Sequence, residues 1–259
     1  MRRARPLIDR PEPFDPANTA LFVDFDGTLV ELADRPESVV VDRQLLELLP
    51  RIAQALGGAL AIVSGRSVAD LRQHLPDGPW VLVGQHGLER QGPIAGLAAG
   101  FAADLQTLPE ELRDALLEMA QRHPQLQVED KGMSVAVHYR AAPRLGGYLR
   151  RKIERRLKIY PELALLPGKC VFEVKPMGCS KGLAMQALMA AAPFAGRRPL
   201  FVGDDITDES GFERANALKG ASVKVGAGAT CAHFRLRDVR AVHQWLRDSL
   251  LPEGNGENP

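Results

Sequence analysis

The sequence predicts an α/β protein: a doubly wound, Rossmann-like parallel-sheet core that carries an inserted, smaller α+β domain. Near the start of the chain, short apolar runs alternate with patterns typical of amphipathic helices, and the alternation returns near its end. Between these stretches the order changes to helix, strand, strand, helix, strand, strand. Alternating strands and helices favour a parallel sheet with right-handed crossovers. We therefore predict a discontinuous catalytic core at residues 1–104 and 176–259 and an inserted cap, which sets substrate specificity, at 105–175.

The first half of the core is predicted as three strands and two helices. The run Ala-Leu-Phe-Val at 20–23 is apolar throughout, which is typical of a strand buried on both faces of a parallel sheet. The next segment, 42–56, has apolar residues such as Leu45, Leu49 and Ile52 along one helix face. The remaining elements are a strand at 59–63, a helix at 68–75 and a strand at 80–83.

The inserted domain is predicted as two helix-strand-strand units that form an antiparallel sheet with helices on one face. Turn-forming pairs, Lys131-Gly132 and Pro167-Gly168, separate the strands of each unit. The predicted elements are a helix at 110–122, strands at 125–130 and 133–139, a helix at 144–159, and strands at 163–166 and 170–174. The core then resumes with a helix at 181–191, a strand at 199–202, a helix at 207–215, a strand at 221–225 and a helix at 239–250.

Composition and charge favour an ordinary globular enzyme. The chain has 259 residues, 45% of them hydrophobic and 25% charged, and a formal net charge of +1, which creates no broad field for nucleic acid or an anionic membrane. No apolar run approaches the roughly 20 residues that span a bilayer, and the N-terminus lacks the apolar region of a signal peptide. The three scattered cysteines predict neither disulfides nor a zinc site. We expect a cytoplasmic protein, monomeric or weakly homo-oligomeric, with a small-molecule substrate and no nucleic-acid or membrane partner. The basic helix around 150–156 is expected to be a solvated face.

The segment Asp-Phe-Asp-Gly-Thr at 24–28 follows the first predicted strand. Side chains two residues apart on an extended segment point to the same side, so Asp24 and Asp26 can converge on one substrate atom. One carboxylate can attack phosphorus to form an aspartyl-phosphate. The other can protonate the leaving oxygen and then take a proton from water. Thr28 can hydrogen-bond a phosphate oxygen. Alone, the motif is also consistent with a turn rich in Asp and Gly.

Two serine motifs add candidate phosphate ligands. Ser64-Gly65-Arg66 places a hydroxyl and backbone amides before a helix, which is a cradle for phosphate. In isolation, Ser64 is better explained as a helix N-cap. Lys181, in the motif Ser-Lys-Gly, can neutralise the phosphorane and the nucleophile together. Its alternative is an exposed lysine near a helix cap.

The segment Gly-Asp-Asp-Ile-Thr-Asp-Glu after a buried strand predicts a metal site. Mg²⁺ prefers hard oxygen ligands, typically one or two carboxylates with phosphate and water. Asp204 and Asp208 are the candidate ligands, and Asp205 either coordinates the ion or supports a ligand. Asp24 and the backbone carbonyl of Asp26 would complete the coordination. The competing interpretation, acids that complement a helix dipole, leaves the mutual repulsion of the carboxylates unresolved, whereas a divalent cation removes it.

In chain order, these four motifs resemble those of the haloacid dehalogenase (HAD) superfamily of phosphotransferases, over the whole α/β core. The resemblance implies a Mg²⁺ cofactor and an insertion of the C2 cap type. The residues assigned to catalysis are Asp24, Asp26, Ser64 and Lys181. Those assigned to substrate binding by the motifs are Thr28, Gly65 and Arg66.

Three more segments, at 84–89, 129–140 and 172–176, resemble the trehalose-6-phosphate phosphatases. That resemblance implies hydrolysis of trehalose 6-phosphate to trehalose and phosphate, the last step of trehalose biosynthesis. The side chains and backbone expected to meet the sugar are those of His86, Gly87, Glu89, Glu129, Lys131, His138, Arg140 and Glu173. Alternatives stay open in the cap: His138 can face the cap's own helices, Arg140 can be a surface charge, and Lys131 or Arg140 can hold the phosphate instead.

Two other functions compete with this one. The same core can serve another phosphosugar enzyme, such as a sucrose-phosphate or mannosylglycerate-phosphate phosphatase, or a phosphomutase. A catalytically silent sugar-phosphate sensor is the third hypothesis. The presence of both a candidate nucleophile and a candidate acid argues against the sensor, because a binding module needs neither.

Overall fold

The structure, a computed structural model, describes residues 10–33, 38–94, 108–168 and 170–251. In chain order, the strands and helices are β1 (Thr19–Val23), α1 (Arg43–Ala55), β2 (Leu60–Val63), α2 (Val68–His74), β3 (Val81–Gly84), β4 (Glu89–Gln91), α3 (Glu110–Arg122), β5 (Gln127–Asp130), β6 (Val135–His138), α4 (Gly146–Leu157), β7 (Leu163–Gly168), β8 (Val171–Pro176), α5 (Lys181–Leu188), β9 (Arg198–Gly203), α6 (Glu209–Ala217), β10 (Ala221–Val225), β11 (Phe234–Leu236) and α7 (Val239–Asp248).

The described residues form two compact units. The larger unit combines the chain segments before and after the insertion, and the smaller unit is the insertion itself, which extends to Cys179. The predicted first boundary, at 104/105, lies outside the described residues. The predicted second boundary, at 175/176, would cut the last strand of the smaller unit, because β8 extends to Pro176. The assignment of the smaller unit to substrate specificity stays a prediction.

The larger unit is a seven-stranded sheet in the order β11-β10-β9-β1-β2-β3-β4. All neighbouring strands are parallel except β3 and β4. The α/β prediction is therefore confirmed, with an antiparallel edge added. From β1 the chain proceeds to β2 and β3 on one side, whereas β9, β10 and β11 lie on the other. The carboxyl ends of β1 and β9 thus meet at the point where the strand order reverses, which is where open α/β sheets bind ligands.

The core of this sheet follows from the apolar runs of its central strands. All five residues of β1 are buried, and Phe22 packs 5.3 Å from Phe194, measured between ring centroids. Leu45, Leu49 and Ile52 of α1 are buried, as the helical spacing predicts. A strand with apolar side chains on both faces is stable only when helices cover both. The apolar runs therefore form the buried sheet, and the polar loops that follow its strands lie at the carboxyl-terminal edge.

The sequence-based prediction omits two strands, β4 and β11. Both are three-residue edge strands, Glu-Arg-Gln and Phe-Arg-Leu, which carry polar residues and lack a continuous apolar run. The other element bounds differ from prediction by at most three residues. The largest difference is in α5, which ends at Leu188 rather than at 191. Pro193 follows, and the backbone before a proline disfavours the helical conformation.

The smaller unit has the predicted αββαββ order and a four-stranded antiparallel sheet, β5-β6-β8-β7. Apolar side chains of α3 and α4 pack on one face of that sheet; they include Leu112, Leu116, Leu149 and Ile153 against Val135, Val137, Phe172 and Val174. The pair Pro167-Gly168 was expected in the turn but lies within β7, where it pairs with Phe172 and Val171. Proline is tolerated there because β7 is an edge strand.

Among the described residues, no helix combines the length and the apolar character needed to cross a membrane.

Candidate active site

The loops after β1 and β9 bring Asp24 and Asp204 together. The two strands pair in parallel with Val23 opposite Val202, and the amide of Asp24 extends the ladder by donating to the Val202 carbonyl at 2.9 Å. Gly27 has a φ of +78°, and a Cβ at this position would collide with the Asp204 carboxylate. Glycine is therefore required both by the backbone conformation and by the close approach of the second loop.

Lys181 links the carboxylates of this site. Its Nζ donates to Asp24 Oδ1 at 2.6 Å and to Asp208 Oδ1 at 2.7 Å, and the lysine is only 3% exposed. The residue is placed by the start of α5, where the Ser180 side chain caps the helix by accepting from the amide of Leu183 at 3.2 Å. The alternative of a solvent-exposed lysine is therefore wrong, because the side chain is buried and forms ion pairs with Asp24 and Asp208.

Asp208 holds the loop after β9 in place. Its Oδ2 accepts from the amides of Asp204 and Asp205 at 3.0 Å each, and its Oδ1 accepts from Lys181. The residue is fully buried. Both carboxylate oxygens already have protein donors, so the contacts of Asp208 are those of a group that fixes the loop and the lysine.

Burial and mutual repulsion perturb the titration of this cluster. Burial, together with the charges of Asp208 and Asp204, raises the pKa of Asp24 well above its usual range, although Lys181 opposes the shift. Burial and the charges of Asp208 and Asp205 raise the pKa of Asp204 to about 6. Burial lowers the pKa of Lys181, but Asp208 and Asp24 outweigh it, and the net shift is upward. The cluster therefore carries more negative charge than one lysine can neutralise.

Within the described part of the chain, one group of three acidic side chains could hold a metal ion: Asp24, Asp204 and Asp208 each offer an oxygen within 4.8 Å of the others. The raised pKa values of Asp24 and Asp204, and the hard oxygen donors that all three side chains offer, fit Mg²⁺. Asp205 is not in this group; its side chain is exposed and caps the turn at 206–208 by accepting from the Asp208 amide. The contacts favour its supporting role over coordination.

Asp26 is held by a network that the sequence reasoning missed. Arg66 contacts both of its oxygens, with Nε to Oδ2 at 2.6 Å and Nη2 to Oδ1 at 2.8 Å. The third nitrogen, Nη1, donates to Asp70 Oδ2 at 2.7 Å and lies 3.4 Å from His74 Nε2. The guanidinium also lies 5.6 Å from the centroid of the Phe25 ring. Arg66 thus aligns Asp26, and its expected contact with substrate stays a prediction. The signal available in the sequence was the four-residue spacing from Arg66 to Asp70 and from Asp70 to His74, of which Asp70 and His74 lie on α2.

The Ser64 motif differs from its predicted geometry. The N-cap of α2 is Ser67, whose side chain accepts from the Asp70 amide at 3.1 Å, so the alternative role of Ser64 as that cap is wrong. Ser64 Oγ instead accepts from the Arg66 amide at 3.1 Å, and the serine is 1% exposed. The first amide of α2, that of Val68, is taken by Glu89 Oε2 at 2.6 Å. Glu89 therefore supports α2 and the loop, and its contact with sugar stays a prediction.

The turn after β3 has an unusual backbone. Gln85 and His86 have φ values of 46° and 56°, and Gly87 has 111°. Non-glycine residues in this region are strained by about 1 kcal/mol or more each. The His86 ring lies over Gly65, where a Cβ would approach its Cε1 to 2.8 Å. The strained turn thus packs against the Ser64 loop, and such strain is often found at functional sites. Gln85, whose amide nitrogen donates to Glu89, is a further residue that the sequence reasoning missed.

In the smaller unit, polar side chains share the sheet face opposite α3 and α4. His138 Nε2 lies 3.1 Å from Glu129 Oε2, an interaction that lowers the pKa of Glu129. Because His138 alternates with the core residue Val137, the alternative that it faces the helices is wrong. Arg140 is exposed just after β6.

Glu173 organises a second group on the same sheet. Ser134 Oγ donates to its Oε1 at 2.6 Å, and Lys131 Nζ lies 4.0 Å from its Oε2. Ser134 was not singled out from the sequence, because a lone serine in a hairpin carries no signal until the strand register is known. Whether these residues meet a sugar stays a prediction.

Similarity to known proteins agrees with this geometry. A family model described as trehalose-phosphatase matches residues 22–239. The chain is 43% identical over 246 residues to a trehalose-6-phosphate phosphatase of Escherichia coli K12, which covers 93% of this chain and 89% of that protein. It is 39% identical over 211 residues to a protein of Sinorhizobium fredii described as a probable trehalose-phosphate phosphatase, with 81% and 78% covered.

Solved structures show the same fold. The C-terminal domain of a Candida albicans trehalose-6-phosphate phosphatase superposes with a TM-score of 0.76 at 22% identity, over 90% of this chain and 92% of that one. A protein described as related to trehalose-6-phosphate phosphatase gives 0.70 at 26% identity, over 88% and 95%. With the family model covering most of the chain and the motif residues assembled at one sheet edge, this chain belongs to the trehalose-phosphatase family.

Proposed function

We propose that this protein hydrolyses trehalose 6-phosphate to trehalose and phosphate, with Asp24 as the nucleophile and Mg²⁺ as the cofactor. One observation carries the chemistry: the Asp24 carboxylate is held by Lys181 at the joined ends of β1 and β9, with Asp26 two residues away. The substrate is proposed from membership of the family and from the likeness to the E. coli enzyme.

The first step forms an aspartyl-phosphate. An oxygen of Asp24 attacks phosphorus, a bond between that oxygen and phosphorus forms, and the bond between phosphorus and the sugar O6 breaks. Asp26 gives its proton to O6, so that the sugar leaves as an alcohol. Lys181 stays paired with Asp24 and stabilises the charge that builds on the phosphoryl oxygens.

The second step releases phosphate. Asp26 takes a proton from water as the water oxygen attacks phosphorus, and the bond to Asp24 breaks. The two-pronged contact with Arg66 suits an ionised Asp26, which is the form that accepts this proton. Donation in the first step requires that at least one of those contacts is released.

Asp24 and Asp204 are the side chains that we propose as Mg²⁺ ligands, with the backbone carbonyl of Asp26. Asp208 has an oxygen close enough to join them, but its donors favour a role in fixing the loop. When bound, Mg²⁺ supplies the positive charge that the carboxylates and an incoming phosphate together require.

The phosphate and sugar contacts rest on two groups of residues. Thr28, whose hydroxyl donates to Asp24 Oδ2 at 3.4 Å, is proposed to meet a phosphate oxygen beside the reacting carboxylate. Ser64, which follows β2, the neighbour of β1, is proposed as a second phosphate ligand. Glu129, Lys131 and Glu173 are proposed to bind sugar hydroxyls, for which carboxylates and amines are apt partners. Lys131 lies 4.0 Å from Glu173, and Glu129 contacts His138 at 3.1 Å; these contacts orient the two carboxylates.

The test is phosphate release from trehalose 6-phosphate, sucrose 6-phosphate and glucose 6-phosphate, each with and without Mg²⁺. We expect trehalose 6-phosphate to give a kcat/KM at least about 100-fold above the others, since a site built for many hydroxyls leaves polar groups unpaired with the wrong sugar. Comparable turnover of either other substrate would contradict the proposed specificity. Phosphate moved between positions would indicate a mutase, and tight binding without release would indicate a sensor.

A further inference from the structure

Lys224 is a buried lysine to which the proposed mechanism gives no role. It interrupts the apolar strand β10 as Val-Lys-Val and is 5% exposed. In the pairing of β10 with β9 it lies opposite Gly203, the residue before Asp204. A lysine is rarely buried unless its charge is used, so its partners indicate its role.

The Lys224 ammonium donates to two carbonyl groups. One is the carbonyl of Asp204, and the other is that of Val225 at 2.6 Å. The amide on the other side of the same peptide bond, that of Asp205, donates to Asp208 Oδ2 at 3.0 Å. The peptide group between Asp204 and Asp205 is therefore held at its oxygen by a cation and at its nitrogen by an anion.

This double restraint acts on the direction of the Asp204 side chain. A peptide group is planar, so it turns as a unit, by rotation about the bonds that flank it. Such a turn changes ψ of Asp204 and shifts the backbone from which its carboxylate projects. With Lys224 removed, the contact of the Asp205 amide with Asp208 remains, but the Asp204 carbonyl loses the Lys224 donor.

We infer that Lys224 is a positioning residue for the metal site, which acts by fixing the Asp204 peptide so that the Asp204 carboxylate faces Asp24. The inference rests on the proposed function in one respect, the assignment of Asp204 as a Mg²⁺ ligand. Lys224 itself touches neither phosphate nor metal in this assignment.

The positive charge of Lys224 has the opposite effect, because a cation beside a metal site repels the metal. Of the five influences on the Asp204 pKa, Lys224 is the weakest, after burial, Asp208, Asp205 and Lys181. Arg235, next to Lys224 on β11, donates to the carbonyls of Gly226 and Gly228. Removal of Lys224 thus removes a small repulsion of the metal and a specific restraint on the Asp204 peptide. If the restraint matters more, Mg²⁺ binding weakens; if the repulsion matters more, it tightens.

The experiment is a titration of the full chain with Mg²⁺ alone, without substrate, followed by calorimetry and by the thermal unfolding midpoint. We expect K224M to weaken Mg²⁺ binding about tenfold, the effect usual for a group that orients a metal ligand. The matched control is K219M, at an exposed lysine of the same unit, and it should leave the affinity unchanged. Unchanged or tighter binding in K224M would overturn the inference.

A second variant keeps the test decisive if K224M does not fold. K224Q retains a donor for the carbonyls but removes the charge, so we expect it to bind Mg²⁺ less tightly than wild type yet within about threefold. Binding tighter than wild type would show that charge dominates and would overturn the inference. Wild-type protein that binds no Mg²⁺ would contradict the proposed function itself, whereas equal binding by wild type and K224M would contradict the positioning role alone.

Discussion

The polar clusters of the two units are built in different ways. In the larger unit, Asp24, Lys181 and Asp204 come from loops at neighbouring strand ends and one helix start, where the parallel sheet brings them together. In the smaller unit, Glu129 and Glu173 lie on the face of an antiparallel sheet, on strands at either side of β6. The order of elements along the chain is enough to predict the first cluster. The second cluster depends on strand register, because a shift of one residue would place its side chains on the other face of the sheet.

The clusters also differ in how tightly their charges are enclosed. Lys181 and Asp208 are almost or fully buried, whereas the side chains of Glu129 and His138 on the sheet face are 45% and 34% exposed. Glu173, on the same sheet face, is buried. A buried charge that loses its partner is costly, and an exposed one is screened by water. We therefore expect substitutions in the carboxylate cluster to act on both turnover and stability, and those of Glu129 and His138 to act mainly on substrate binding.

The largest effect is expected from Asp24→Asn. An amide cannot serve as the nucleophile, so phosphate release should fall by at least about 10⁴-fold, as for other groups essential to a chemical step. The fold should survive, since the raised pKa of Asp24 shows that a neutral group suits this position. The measurement is phosphate release at saturating Mg²⁺ with far-UV circular dichroism. Asp77→Asn, at an exposed acid, is the control. Near-normal turnover in Asp24→Asn would refute the assignment of the nucleophile.

Next in size is Lys181→Met, which should abolish turnover and lower the free energy of unfolding by about 3–5 kcal/mol at neutral pH. The variant leaves Asp24 and Asp208 buried without their cation. Burial raises the pKa of Asp24 well above its usual range, so protonation of Asp24 should relieve the repulsion and the loss should shrink as the pH falls. Urea unfolding at pH 7 and pH 5 measures it, and Lys219→Met serves as control. An equal loss at both pH values would indicate a packing effect instead of a charge effect.

The sequence predicts the larger cluster well because its motifs follow strands that are recognisable from their apolar runs. Asp24, Lys181 and Asp204 needed only the parallel topology to be placed together. The contacts that the sequence did not predict also have physical reasons. Glu89 lies on an edge strand without an apolar pattern, and its contact with the start of α2 depends on the pairing of β4 with β3. Lys224 was not predicted as a functional residue, because its contact with the Asp204 carbonyl depends on the pairing of β10 with β9.

A smaller effect is expected from Glu173→Gln, which tests whether the sheet face binds sugar. The change keeps the size of the side chain but weakens its contacts with Ser134 and Lys131. We expect KM for trehalose 6-phosphate to rise about tenfold, equivalent to one hydrogen bond to a charged group. The Mg²⁺ affinity should be unchanged. Glu154→Gln, at an exposed glutamate of α4, is the matched control. A change in Mg²⁺ affinity without a change in KM would contradict the division of roles between the two clusters.

The smallest effect concerns pH. The pKa of Asp204 is about 6 in the folded chain, against about 3.9 in an unfolded one. Between these values the folded chain binds more protons, so this group contributes stability that is complete below about pH 4 and lost as the pH rises through about 6. The metal-free unfolding midpoint should therefore fall over this range by several °C more in wild type than in Asp204→Asn. Mg²⁺ binds the ionised form, so its addition should reverse the loss at pH 7 in wild type alone. Identical pH profiles for wild type and Asp204→Asn would mean that burial and neighbouring carboxylates do not raise the pKa of Asp204. The electrostatic difference between the two clusters would then have to come from Asp24.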